Sequence, residues 1–190
     1  MTHLIGIAGS LRRQSLNGHL LRAAQQVVPV GSTLDIASIA DIPLYNGDLE
    51  AEHGIPAGVA ALKGKIAAAS GLLLVTPEYN NSLPGVLKNA IDWLTRPSDD
   101  IPKVFGGLPV AVIGASPGGF GTILAQEAWL PVLRTLRVRP WFDGRLMVSR
   151  AHTAFDSSGT LSDEKIREQL RSFVAGFVHF AAETGRREQS

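Results

Sequence analysis

Short apolar runs alternate with amphipathic stretches of helical length along this chain, and that alternation limits the fold more than any other feature. Residues 4–8, 33–37, 72–75 and 109–114 read as strands, and residues 137–142 and 145–148 as later strand pieces. Helical stretches run over 16–28, 59–69, 83–94, 122–136 and 162–183. Leu20, Ala24, Val27 and Val28 mark one face of the first, and Ile166, Leu170, Phe173, Val174, Phe177 and Val178 a stripe along the last. The run Leu72-Leu73-Leu74-Val75 is apolar throughout, as a strand covered on both faces must be, whereas 33–37 alternates and suits a sheet edge. Residues 41–56 read as a loop. Pro84 falls in the first turn of its helix, where the missing N–H costs nothing, and Pro131 predicts a kink or a break. Strand and helix taking turns five times predict a doubly wound α/β domain, a five-stranded parallel sheet with helices on both faces.

With 190 residues the chain has matter for one core, and the expected domain covers 1–184 with a solvated tail at 185–190. Eighteen Lys and Arg against seventeen acidic residues give a formal charge of +1, too balanced for general nucleic-acid binding or a polybasic membrane patch. Cysteine is absent, which excludes disulfides, thiolate catalysis, iron–sulfur clusters and Cys-based zinc sites. The five histidines are scattered without metal spacing, so no metal site is expected. No apolar run reaches the roughly 20 residues of a membrane helix, and residues 1–8 lack the basic start of a signal peptide. The expected compartment is the cytoplasm.

Ligands of such a fold bind at the carboxyl ends of the strands, near the point where strand order reverses. Three segments there are unusual. The first strand is followed by Gly9-Ser10-Leu11-Arg12-Arg13-Gln14-Ser15-Leu16-Asn17. Small hydroxyls, a guanidinium and a helix N-terminus together suit a phosphate; the plainer alternative is a polar loop in which Ser15 or Asn17 caps the helix. The segment lacks both the nucleotide-triphosphate pattern GxxxxGK[ST] and the dinucleotide pattern GxGxxG. After the third strand, Thr76-Pro77-Glu78-Tyr79-Asn80-Asn81-Ser82 offers backbone amides to a flat heterocycle, or is a turn with a packed tyrosine. After the fourth, Ser116-Pro117-Gly118-Gly119-Phe120-Gly121 lets a ligand approach the backbone because no Cβ stands in the way. A phosphate at the first segment and a planar ring between the other two describe a mononucleotide.

These three loops, together with residues 41–48 and 88–93, resemble the NAD(P)H-dependent FMN reductases, flavodoxin-like proteins that include quinone, chromate and azo-dye reductases. The likeness runs from the first strand to the last helix. It implies that Ser10, Arg12, Ser15, Leu16 and Asn17 hold the FMN phosphate. Pro77, Glu78, Tyr79 and Asn80 would lie along the isoalloxazine, and Ser116, Pro117, Gly118 and Gly119 would line its other edge. Leu124 stands where many relatives carry an arginine engaged in subunit contacts. The implied reaction moves hydride from NADPH or NADH through FMN to a small acceptor such as a quinone, a flavin, an azo compound or chromate. That chemistry belongs to the cofactor, so no catalytic side chain is assigned. Glu78 is either a general acid or a carboxylate facing solvent. At least a homodimer is expected, with a tetramer as the larger alternative, because one small domain would leave the flavin ring uncovered. A flavodoxin-type electron carrier is the competing function; its usual acidic surface and Thr/Ser-rich phosphate loop are missing here. A ligand-sensing module would bind flavin without turnover.

Overall fold

A computed structural model describes residues 1–184; the tail at 185–190, expected to be solvated, lies outside the described residues. The chain runs β1 (Thr2–Ala8), α1 (Leu16–Gln26), β2 (Ser32–Ala37), α2 (Gly47–His53), α3 (Ala57–Ala68), β3 (Gly71–Val75), α4 (Gly85–Leu94), α5 (Ile101–Phe105), β4 (Pro109–Ala115), α6 (Ile123–Thr135), β5 (Arg139–Pro140), β6 (Met147–Val148) and α7 (Glu164–Thr184). All pairings between named strands are parallel, in the order β2-β1-β3-β4-β5, which is the flavodoxin-like order.

Successive side chains of a strand point to opposite faces, and here both faces are buried. Leu4, Leu73, Val75 and Ile113 pack with α1 and α7 through Leu20, Leu21, Phe173 and Phe177. Ile5, Ile7, Leu72 and Leu74 pack on the opposite face with Ile66, Ile91, Trp93 and Trp129. Each fully buried Leu, Ile or Phe contributes about 1.5–3 kcal/mol, which is why the central strands read as unbroken apolar runs. Trp93 and Trp129 are core residues, 1% and 0% exposed.

The structure departs from the sequence expectations in two places. Residues 41–56 contain α2, which buries none of its side chains and so shows no apolar stripe. Pro84 is the N-cap of α4 and stands just outside its first turn. Of the two outcomes read for Pro131, the break does not occur, and α6 continues to Thr135. Both later strand pieces form at the fifth position: β5, inside 137–142, pairs with Pro109 and Val110, the chain leaves the sheet over 142–145, and β6, inside 145–148, pairs with Gly114 and Ala115. Trp141, at the start of that excursion, is buried against Phe173 and Phe177.

Candidate cofactor site

β1 and β3 are neighbours, yet β1 is followed in the chain by β2 on its other side. The loops leaving β1 and β3 therefore diverge, and a crevice opens at their carboxyl ends. The loop after β1 comes close to the loop after β3 at Gly9, whose N–H donates to the Val75 carbonyl at 2.9 Å. A Cβ at Gly9 would stand 2.9 Å from both Leu87 and Pro77, so this approach requires glycine. Tyr79 completes the contact, its hydroxyl donating to Ser10 Oγ at 3.4 Å.

Ser15 caps α1, accepting from the Gly18 N–H at 3.2 Å. Its side chain is thus spent on the helix, the plainer of its two alternatives, and it is buried. The N–H groups of Ser10, Leu11, Arg13, Gln14, Ser15, Leu16 and Asn17 have no hydrogen-bond acceptor among the described residues. Unpaired amides at a helix start, reinforced by the helix dipole, form an anion site. Arg12 and Arg13 are both exposed and make no ion pair among the described residues. The Asn17 side chain is 3% exposed and bonds both to the amide and to the carbonyl of Ala115, at 2.8 and 2.9 Å.

The middle loop turns tightly. Tyr79 and Ser82 exchange backbone hydrogen bonds of 3.0 and 3.1 Å, and Asn80 and Asn81 both take positive φ, 50° and 60°. Two consecutive left-handed residues make a type I′ turn, a conformation asparagine tolerates. Pro77 is buried, Tyr79 and Asn80 are exposed, and the N–H groups of Glu78 and Asn80 have no acceptor among the described residues. Glu78 has a structural role beside its two sequence alternatives. Its Oε2 accepts from the Leu124 and Ala125 amides, at 2.9 and 3.1 Å, so the carboxylate caps α6. Below it Trp129 Nε1 donates to Thr76 Oγ1 at 3.1 Å in a fully buried pair.

The glycine loop leaves β4 beside the other two. Gly114 lies so close to its neighbours that a Cβ would stand 2.0 Å from Thr122 Oγ1 and 2.2 Å from the Thr76 carbonyl. Ser116 donates its N–H to Val148 and accepts at its carbonyl from Ala151, while the Gly118 carbonyl accepts from Arg150. Pro117, Gly118 and Gly119 are exposed. A Cβ on Gly118 would meet only Ser116 Oγ, at 3.8 Å, and one on Gly119 nothing within 4 Å. The N–H groups of Gly118 and Gly119 have no acceptor among the described residues and face open space. An anion cradle at α1 and bare, amide-bearing backbone at the other two loops fit a phosphate and a flat polar ring respectively.

A family model described as NADPH-dependent FMN reductase matches residues 2–153, which contain all three loops. The chain belongs to that family. It is 45% identical over 168 residues to an NAD(P)H-dependent FMN reductase of Pseudomonas aeruginosa, covering 88% of this chain and 89% of that one. It is 44% identical over 182 residues to a quinone reductase of Escherichia coli K12, covering 93% and 94%. Among solved structures, the flavoenzyme NAD(P)H:(acceptor) oxidoreductase of Paracoccus denitrificans superposes with a TM-score of 0.86 at 35% identity, over 97% of this chain and all of that one. The protein is accordingly an FMN-dependent oxidoreductase with a nicotinamide donor, and the electron-carrier alternative falls away.

The two further stretches of family resemblance turn out to be partners of each other. Asn89 and Trp93 of α4 both donate to the Pro43 carbonyl, at 2.8 and 2.9 Å, and the Asn89 side chain accepts from the Tyr45 N–H at 2.9 Å. Tyr45 lies edge-on to Trp93 at 4.9 Å. Its hydroxyl donates to Glu50, which also accepts from Arg96 Nε, and the Arg96 guanidinium holds the Glu50 carboxyl below its usual range. Sequence reasoning missed this clamp because its members lie up to 50 residues apart. Among the described residues no group of three or more His, Cys, Asp or Glu is placed to hold a metal ion, and no helix is long and apolar enough to cross a membrane.

Proposed function

We propose that residues 1–184 form one FMN-binding unit that passes hydride from NADPH or NADH to a quinone-type acceptor. The observation that carries this reading is the set of unpaired amides gathered at one end of the sheet: a run along 10–17, and single groups on the middle and glycine loops. The quinone reductase among the relatives supports the acceptor class. FMN held there would supply the hydride-relay chemistry.

The chain's own residues bind and orient. The Ser10, Leu16 and Asn17 amides and the Arg12 guanidinium receive the phosphate, while Ser15 keeps α1 aimed at it. Pro77, Glu78, Tyr79 and Asn80 support one side of the ring through backbone, and Ser116, Pro117, Gly118 and Gly119 border the other. Amides fixed in advance on these loops would stabilise negative charge at the ring edge without reorganising, as oxyanion-hole donors do. Glu78 accepts both hydrogen bonds at Oε2 and holds the start of α6 beside the ring position. Tyr79, Phe120 and Leu124 remain 41%, 83% and 40% exposed around the ring position. A second copy of the chain covering them makes a homodimer, or a tetramer where the contact repeats. A nicotinamide donor supports a cytoplasmic location.

Anaerobic mixing with NADPH, then with benzoquinone, tests the reading. The flavin absorbance should bleach and then return, and acid extraction should release FMN. A flavin that stays oxidised under both NADPH and NADH, or that proves to be chiefly FAD, overturns it. Light scattering should give at least twice the 20.2 kDa of one chain.

A further inference from the structure

Asn17 is the second residue of α1, where the family resemblance puts it on the phosphate, yet its side chain points elsewhere. Both of its polar side-chain atoms are used on one residue 98 positions later: Nδ2 donates to the Ala115 carbonyl and Oδ1 accepts from the Ala115 N–H. A side-chain amide offers the same donor and acceptor as a peptide group. β3 has already ended at Val75, paired with Ile113, so no strand reaches Ala115 on that side and Asn17 stands in for one. The next residue, Ser116, opens the glycine loop. Meanwhile the backbone N–H of Asn17 stays free among the described residues, in the amide run of the phosphate end.

We infer that Asn17 is a positioning residue for the flavin ring: its side chain fixes the glycine loop relative to the phosphate end and makes no contact with the phosphate. This rests on the reading of 9–17 as the phosphate end and 116–119 as the ring edge. Loss of the side chain leaves the Ala115 N–H and C=O, on a residue 2% exposed, without partners. Such buried orphans are costly, so the segment beginning at Ser116 shifts to satisfy them and the ring edge moves with it.

Riboflavin, which has the ring and lacks the phosphate, separates the two roles. In titrations of the flavin-free full-length chain, Asn17→Ala should weaken riboflavin and FMN by the same factor, about tenfold, the scale of one buried hydrogen bond. Arg12→Ala should weaken FMN alone. At saturating riboflavin, the visible circular dichroism of the bound ring should change in the Asn17 variant and match wild type in Arg12→Ala. Asn17→Asp carries the same test if the alanine variant does not fold. It keeps an acceptor for the Ala115 N–H and sets an oxygen against the Ala115 carbonyl. An Asn17 variant that weakens FMN and spares riboflavin would return the side chain to the phosphate and overturn the inference; so would one that leaves both affinities unchanged. Should Arg12→Ala weaken riboflavin as much as FMN, the reading of 9–17 fails, and this inference fails with it.

Discussion

Arg12 and Arg13 are adjacent and both exposed, yet side chains of neighbouring loop residues cannot both converge on one phosphate. Arg12→Ala should weaken FMN binding by about 1.5–3 kcal/mol, the range for a hydrogen bond to a charged group, and Arg13→Ala by clearly less. Fluorescence titration of the flavin-free chain measures both, and equal losses would mean the loop presents both guanidinium groups to the ligand. At this scale residue type was legible and atomic role was not. Ser15, Asn17 and Glu78 stand out in sequence as polar groups at strand ends, but each spends its side chain on backbone: Ser15 on Gly18, Asn17 on Ala115, Glu78 on Leu124 and Ala125. Only the first of these partners is local. The other two lie 46 to 98 residues away, beyond the reach of any spacing rule.

The elements surrounding the site carry stability as well as position. Glu78 satisfies two amides of the first turn of α6, so Glu78→Ala should cost about 0.5–2 kcal/mol, the usual cost of a lost N-cap. Glu78→Gln keeps an accepting oxygen and should cost less; urea unfolding ranks the pair. On α1, His19 is 6% exposed beneath the turn at Gly159, and its Nδ1 faces Arg22 Nη2 at 2.7 Å. Arginine only donates, so that nitrogen is an acceptor and the ring is neutral. Burial, and then the Arg22 charge, hold its pKa below the ordinary 6.5. The unfolded chain therefore takes up this proton first as pH falls, and stability rises with pH across that window. The His19 contribution is complete above about pH 6.5 and is lost as pH drops from there toward the folded-state pKa. Thermal unfolding from about pH 8 down to pH 5 should show this decline, and His19→Gln should flatten it. Most elements were legible because apolar period and length separate buried strands from one-sided helices. α2 escaped because it buries nothing; only Asn46 as cap, Asp48 and Glu50 in the first turn and Gly54 beyond the end could have marked it. Both pieces of the fifth strand were legible as 137–142 and 145–148, and only their bounds shrink in the structure, to Arg139–Pro140 and Met147–Val148.

At the scale of the whole molecule, the proposed ring position has loops on one side and a single face left for both reactants. Nicotinamide and acceptor must each come within roughly 3–3.5 Å of the reacting atoms, so on this reading they use that face in turn. Initial rates should give parallel double-reciprocal lines, with each substrate inhibiting competitively against the other when in excess. Intersecting lines with a detectable ternary complex would require a larger pocket. The topology that creates this face was visible in the order of strands and helices, and so were the two pieces of the fifth strand and the break between them. That break also governs how copies of the chain meet when crowded. A sheet edge normally displays a row of N–H and C=O groups that another chain can extend, the first step toward aggregation. On this side two residues pair, the backbone departs over 142–145, and two more pair farther along, so an incoming strand finds no continuous template. The break that divides the strand also keeps the sheet from growing past this edge.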